Sequence, residues 1–298
     1  MRPDPRFLNQ PKHFWANVRS ISQHIGYTQR GTGRILVPEL PAVTHALEEL
    51  GLVGSHLVNE EGEPTEFGLT LSAYFEYRAQ VLNDTVRVKL MNASQARKAF
   101  NRLCKKLKPH CPLPLNKQKG TKKAKAFFTG VVNMLIEANS KGMPCDYNPM
   151  ELTAITLQGA PLRTLARRVD GAFPSTINPI AVWEIKEYYY TTTFGSRVAD
   201  GVYGSLLDGM ELEELRQNEK IDVRHYVMVD DYNTWWNMGR SYLCRMIDML
   251  HMGYVDEVLF GSELTSRPFA AIRNRQNIND LAVYVLESPS AGGRGIWL

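Results

Sequence analysis

At 298 residues, with 44% hydrophobic and 22% charged side chains, the chain has an ordinary folded composition and room for two cores, the arrangement expected here. No apolar run approaches the ~20 residues that span a bilayer. Met1-Arg2-Pro3-Asp4-Pro5 has no apolar signal-peptide core, so a cytoplasmic protein without a membrane partner is expected. Cys104, Cys111, Cys145 and Cys244 are scattered, without the paired short spacing of a zinc site, and read as reduced thiols.

The first 90 residues read as mainly helical. Residues 13–25 carry Phe14, Val18, Ile21 and Ile25 at helical spacing. Arg30-Gly31-Thr32-Gly33-Arg34 is a turn that leaves Arg34 as a candidate for phosphate contact. In the helix expected over 40–50, Pro41 suits the first turn and Gly51 the C-terminal cap. Val43, Ala46, Leu47 and Leu50 form its apolar stripe, with Thr44, His45 and Glu48 outward. Polar residues 59–63 make a turn, and Pro64-Thr65-Glu66-Phe67-Gly68-Leu69 leads into a helix through Tyr74, Tyr77 and Leu82. This order resembles a winged helix-turn-helix domain over about 14–82. The resemblance implies that 40–50 is the helix offered to a DNA groove, with Thr44 and His45 facing it, and 57–67 the wing. Such a domain serves protein contacts as well as DNA, and the glutamates of that helix oppose phosphate.

A helix over 93–107 and a Pro- and Lys-rich loop over 108–123 follow, and residues 91–124 read as a basic linker. From Arg97 to Lys125 there are eleven lysines and arginines and no acidic residue. Although the net charge is only +4, a belt this dense attracts phosphate, and Lys119, Lys122 and Lys123 are its candidate DNA contacts. A solvated surface gives the same pattern.

From residue 125 onward the pattern is α/β: an apolar helix at 127–138, strands at 162–173 and 180–190, and a helix at 198–218. A strand at 223–229, a helix at 235–251, and strands at 255–260 and 281–286 complete it. Helices alternating with strands imply a mixed central sheet flanked by helices. The informative stretch is Arg168-Val169-Asp170-Gly171-Ala172-Phe173 followed by Val182-Trp183-Glu184-Ile185-Lys186. Residues two apart share one face of a strand, so Glu184 and Lys186 project together while Trp183 and Ile185 pack the other way. A hairpin return brings Asp170 beside Glu184. Two carboxylates suit magnesium, which keeps most of its waters and needs few protein ligands. The adjoining ammonium suits the charge that develops during phosphodiester hydrolysis. A solvated strand face with an ion pair two residues apart is the bland alternative.

These residues resemble the PD-(D/E)xK nuclease superfamily in its Asp170…Glu184-x-Lys186 form, over about 125–261, and especially type II restriction endonucleases. The resemblance implies a restriction-endonuclease-like core over 125–298 behind a winged-helix-like domain over 1–90. It implies Asp170, Glu184 and Lys186 as the catalytic set. The metal ligands are then Asp170, Glu184 and the Ile185 carbonyl, with Glu137 where many relatives place an extra metal-linked glutamate, although a solvated helix glutamate is equally ordinary. The cofactor is magnesium, replaceable by manganese. The substrate is double-stranded DNA, cut site-specifically by a homodimer in defence against foreign DNA, with a methyltransferase acting on the same site. Ser196 and Arg197 begin the helix after the catalytic strand, where backbone amides hold phosphates, though Ser196 caps a helix equally well. A structure-specific or non-specific repair or defence nuclease of the same fold, and a DNA-binding regulator with an inactive core, are the alternatives. His225 reads as a satisfied sheet residue, and Asp200 and Asp208 as helix surface.

Overall fold

A computed structural model describes residues 1–116, 119–190 and 195–266; the strand expected at 281–286 lies outside them. The N-terminal helices are α1 (Pro5–Leu8), α2 (Lys12–Ile25), α3 (Leu40–Glu49) and α4 (Glu66–Gln80). Their apolar spacing closes one core, in which Phe14, Val18, Leu47, Leu57, Leu71 and Tyr74 meet. A bridge between Val58 and Pro64 makes the expected hairpin ahead of α4, whose Thr65 hydroxyl caps Gly68 N at 3.1 Å. Beyond Gln80 the helix widens into π-turns over Val81–Val86 and ends with Arg87–Lys89.

Asn92 and Gln95 form a capping box that starts α5 (Ala93–Leu107), and α6 (Phe127–Asn139) packs against it. The helix over 93–107 is thus a core element and not a free linker: Ala96, Phe100 and Leu103 are buried against Phe127, Phe128 and Val131. A two-stranded hairpin, β1 (Ala154–Leu157) and β2 (Ala160–Thr164), turns at Gln158-Gly159. The expected single strand over 162–173 is divided, because 165–170 leaves the hairpin before β3 (Gly171–Phe173) begins.

The main sheet is mixed, in the order β3-β4-β5-β6, with β4 (Ala181–Glu187), β5 (Arg224–Asp230) and β6 (Glu257–Phe260) parallel and β3 antiparallel to β4. The protein is therefore mixed α/β. Strand alternation sorts its two faces. Trp183, Tyr226, Met228 and Leu259 face α5 and α6 on the back. Val227, Val229, Val258 and Phe260 face the front, which is covered by α7 (Ser196–Glu219), α8 (Arg240–His251) and the end of the N-terminal helical part. The helix expected over 235–251 breaks at Gly239, where π-turns over Asn233–Met238 hand over to α8. No helix among the described residues is long and apolar enough to cross a membrane.

Two buried polar contacts tie the parts together. Arg78 on α4 donates to both carboxylate oxygens of Asp248 on α8 at 3.1 Å, with the Tyr74 hydroxyl donating to the same carboxylate at 2.6 Å. At the end of β5, Asp230 accepts the Met91 amide at 2.7 Å and the Tyr189 hydroxyl.

Removing one member of a buried ion pair strands the other, at about 3–5 kcal/mol. Asp248→Ala is expected to lose that much in urea unfolding, while Asp248→Asn, which still accepts a hydrogen bond, loses less. Equal losses would show that the charge of Asp248 is not what holds α4 to α8. Burial lifts the Asp230 carboxyl to about 8. The folded chain then holds a proton that the unfolded chain has lost between about pH 4 and pH 8, so stability from this group falls as pH rises through that window. Asp230→Asn removes its share of the slope. Urea midpoints at pH 5 and 8.5 that change as much in the variant as in the wild type would acquit Asp230.

Candidate active site

The site lies on the front face where β3 stops short. Asp170 N donates to Trp183 O at 3.1 Å, the last backbone bond of the β3–β4 pair, and its Oδ2 accepts Ile185 N at 2.8 Å. In a strand, the N–H and C=O of one residue share an edge. The Ile185 carbonyl therefore lies on the edge of β4 that faces Asp170, past the end of β3. Gly171 is required here because any Cβ would run into the Trp183 ring. That close approach brings Asp170 in against β4.

Glu184 and Lys186 share the front face as their spacing predicts, but neither is solvated: Glu184 is 0% and Lys186 5% exposed. Lys186 Nζ stands 2.5 Å from Glu184 Oε2. The same oxygen accepts Arg167 Nη2 at 3.0 Å, and Arg167 Nη1 pairs with Asp208. Asp208 is 0% exposed on the inner face of α7 and is not the surface residue that its helix suggests. Glu184 Oε1 and Asp208 Oδ1 are buried without a hydrogen-bond partner.

Small residues admit α7 this closely. A Cβ on Gly201 would stand 2.6 Å from the Tyr188 hydroxyl oxygen and 3.5 Å from Lys186 Cδ; one on Gly204 would meet the Arg167 guanidinium at 3.3 Å. Ser205 is buried on the same helix, its hydroxyl donating to Gly201 O at 3.1 Å. Val198 and Val202 anchor one end of the helix in the front core, and Leu212 and Leu215 anchor the other near β3 and the hairpin.

Electrostatics separate the carboxyl groups. Burial favours protonation of Glu184, but the charges of Lys186 and Arg167 outweigh it and hold its pKa below the ordinary value. Asp170 keeps solvent on its open side. Desolvation by surrounding protein, then the charge of Glu184, nevertheless raises its carboxyl. Burial followed by Glu184 lifts Asp208 to about 7. Burial works against the Lys186 ammonium, yet Glu184 and Asp170 outweigh it and raise its pKa. Lys186 thus stays a cation and serves as a donor, not a base.

Other expected site residues stand apart. Glu137 accepts the His110 amide with both oxygens at 3.1 Å, on a helix behind the sheet. Its carboxylate is spent on that turn and does not join Asp170. Ser196 and Arg197 are exposed at the start of α7, where Arg197 O lies 3.4 Å from the Tyr188 hydroxyl. Thr191–Phe194 lie outside the described residues. Thr44 turns its hydroxyl back to Pro41 O at 2.9 Å, and His45 lies between Glu48 and Glu49 at 3.7 and 3.5 Å. Arg34 faces Asp84 at 3.5 Å. Lys119 and Lys123 are exposed beside the turn Gly120–Lys122, and the side chain of Lys122 lies outside the described residues. His225 is buried on the front face, with Nδ1 2.8 Å from Tyr254 O and Nε2 unpartnered. Among the described residues no three His, Cys, Asp or Glu side chains are grouped to hold a metal.

A family model described as a domain of unknown function, DUF7687, matches residues 91–274, and a second such domain, DUF7690, matches residues 1–85. No curated protein and no solved structure matches the chain.

Arg167→Ala strands Asp208 and part of the Glu184 charge, and is expected to cost about 2–3 kcal/mol, below the full buried-pair figure because Arg167 is partly exposed. Adding Asp208→Ala to it is expected to recover about 1 kcal/mol, since the orphaned carboxylate goes with it. Strict additivity of the two substitutions in denaturant melts would deny their coupling.

Proposed function

The chain belongs to the DUF7687 family, and from the geometry of its site we propose that Asp170, Glu184 and Lys186 form a magnesium-dependent deoxyribonuclease centre acting on double-stranded DNA. The observation that carries the reading is Glu184 Oε1, a carboxylate oxygen buried without a partner, on a residue whose charge acts on Asp170, itself bonded to Ile185 N. Buried polar atoms are seldom left unmade, and each one calls for an explanation. A hard divalent cation supplies one here, because magnesium takes oxygen ligands and needs only one or two carboxylates. Asp170, Glu184 and the Ile185 carbonyl would hold it.

When bound, magnesium supplies a Lewis acid for the phosphate and makes a bound water more acidic. The chain's own groups do the rest. Lys186, held as an ammonium by Glu184, donates towards the charge that grows on the phosphoryl oxygens. Arg167 has donors left beyond the two spent on Glu184 and Asp208, and its partial exposure lets it meet a phosphate from solvent. Asp208 fixes the guanidinium for that task.

In its finer form the proposal is a restriction-endonuclease-like core behind a winged-helix-like domain, acting in the cytoplasm in defence against foreign DNA. One site cuts one strand, so double-strand cutting at a palindrome calls for a two-fold homodimer. A methyltransferase acting on the same sequence would protect the host. A DNA-binding regulator with an inert core is the second reading. It draws on the two cations, Arg167 and Lys186, that already neutralise Glu184.

With magnesium and unmethylated duplex DNA, Asp170→Asn and Lys186→Ala are each expected to lose about 10²–10³-fold in cleavage rate while still binding the duplex. Both variants cutting at the wild-type rate would overturn the site. A wild-type protein that binds duplex but cuts none with magnesium or manganese would leave the regulator standing. Fragment ends at one sequence support restriction, whereas a smear supports a nuclease that does not read sequence.

A further inference from the structure

We infer that duplex DNA lies along a front-face surface formed by Arg87, Arg240 and Arg245, and not along the lysine-rich segment 97–125. The inference rests on the nuclease reading and names where its substrate is held. The lysine-rich helix α5 covers the back of the sheet, packed with α6 against Trp183, while Glu184 and Lys186 face the front. Its lysines and arginines point away from the side on which bonds would be cut.

The front face carries cations of another kind. Arg87 and Arg240 both lie over the Trp236 ring, each 5.6 Å from its centroid. Arg245 lies over Tyr242 at 4.9 Å and Tyr27 at 5.3 Å, and donates to the Tyr27 and Tyr203 hydroxyls and to Gln23. All their partners are neutral: among the described residues none of the three makes an ion pair. Arg34 nearby is paired with Asp84 and is the contrasting case. Guanidinium groups held over rings, with their charge uncompensated, are preorganised for phosphate.

The three arginines gather on the front side, in the helical layer that also covers Lys186. Arg240 packs against Gly33 and Arg245 against Tyr27, at the two ends of the turn closed by the Thr28–Ile35 bridge. Trp235, beside the shared ring, donates its Nε1 to Lys186 O at 3.3 Å. Tyr203, which holds Arg245, is exposed on the side of α7 opposite Gly201, the residue that abuts Lys186.

The test is duplex binding by anisotropy across a salt series, without added divalent metal, in an Asp170→Asn background that slows cutting. Arg87→Gln with Arg240→Gln is expected to weaken binding at least about tenfold and to reduce the salt slope by about 2, one phosphate for each arginine. Lys105→Gln with Lys106→Gln is expected to change neither. Arg240→Lys keeps the charge and should keep most of the affinity, which separates lost charge from lost packing. Arg245→Gln, on the other side of the turn, is a second variant should the first pair lower the melting temperature. Arginine variants that melt early but keep the wild-type salt slope would make these residues mere staples of the turn and overturn the inference. So would loss of binding confined to the lysine pair. In both cases a wild type that still cuts leaves the nuclease reading intact, whereas a wild type that neither binds nor cuts duplex DNA ends both.

Discussion

Glu184 carries a carboxylate with no exposed surface in a central strand of the sheet. An uncompensated ion there would cost several kcal/mol, so its neighbourhood must supply positive charge. Lys186 supplies it from the same strand face and Arg167 from the loop before β3. Arg167 is held in turn by Asp208, which reaches it only because Gly201, Gly204 and Ser205 let α7 lie close over β4. One buried charge thus dictates the composition of a helix face on another element. Three carboxyl groups, Asp170, Glu184 and Asp208, stand against two cations, Arg167 and Lys186, a surplus of one negative charge if all ionise. Burial and the charge of Glu184 raise the pKa of both Asp170 and Asp208, the direction that such a surplus imposes. A divalent cation would relieve that surplus.

The N-terminal helices are joined to the sheet by chemistry of the same kind. Arg78 is buried with Asp248, whose Oδ1 accepts both the guanidinium and the Tyr74 hydroxyl. Ile35, Ala79, Leu82 and Val86 belong to the same apolar cluster as Val227, Val229 and α8. An ion pair inside such a cluster adds direction to contacts that hydrophobic burial alone leaves non-directional. This fixes the turn around Gly33 against Arg240, and so places the arginine tract relative to Lys186.

The strand of Glu184 and Lys186 was legible because alternation is a local signal. Glu184 and Lys186 fall together, and Trp183 and Ile185 oppose them, whatever surrounds the strand. Asp170 followed from a hairpin that Gly171 marks. Arg167 and Asp208 were not legible, because nothing in chain spacing links a loop arginine to a helix aspartate 41 residues away. The trace that existed was the run Gly201, Gly204, Ser205 and Asp208, at positions i, i+3, i+4 and i+7, one helix face made of small residues and a single acid. Acidic neighbours such as Glu211, Glu213 and Glu214 hid it among surface charge. The strand run over 162–173 was misread because hydrophobic residues continue through the loop 165–170, where Leu165 and Val169 pack into a core without belonging to a sheet. Charge density was likewise legible between 97 and 125, but the face it occupies was not, since facing depends on which side of the sheet α5 covers.

That facing decides which positive charges a bound polyanion feels at short range. A helix is about 10 Å across with its side chains, and α5 and the sheet itself both stand between the back lysines and the front surface. The Debye length is about 10 Å at 0.1 M salt. Charges on the far side of α5 are therefore screened at the site and act chiefly on the approach of a polyanion from a distance. Arg87, Arg240 and Arg245 lie on the front side, in the helical layer that covers Lys186. On the proposal that the chain binds duplex DNA, the dense segment that composition exposes would contribute to encounter, while three arginines scattered along the chain and gathered by aromatic rings would set the register of the duplex.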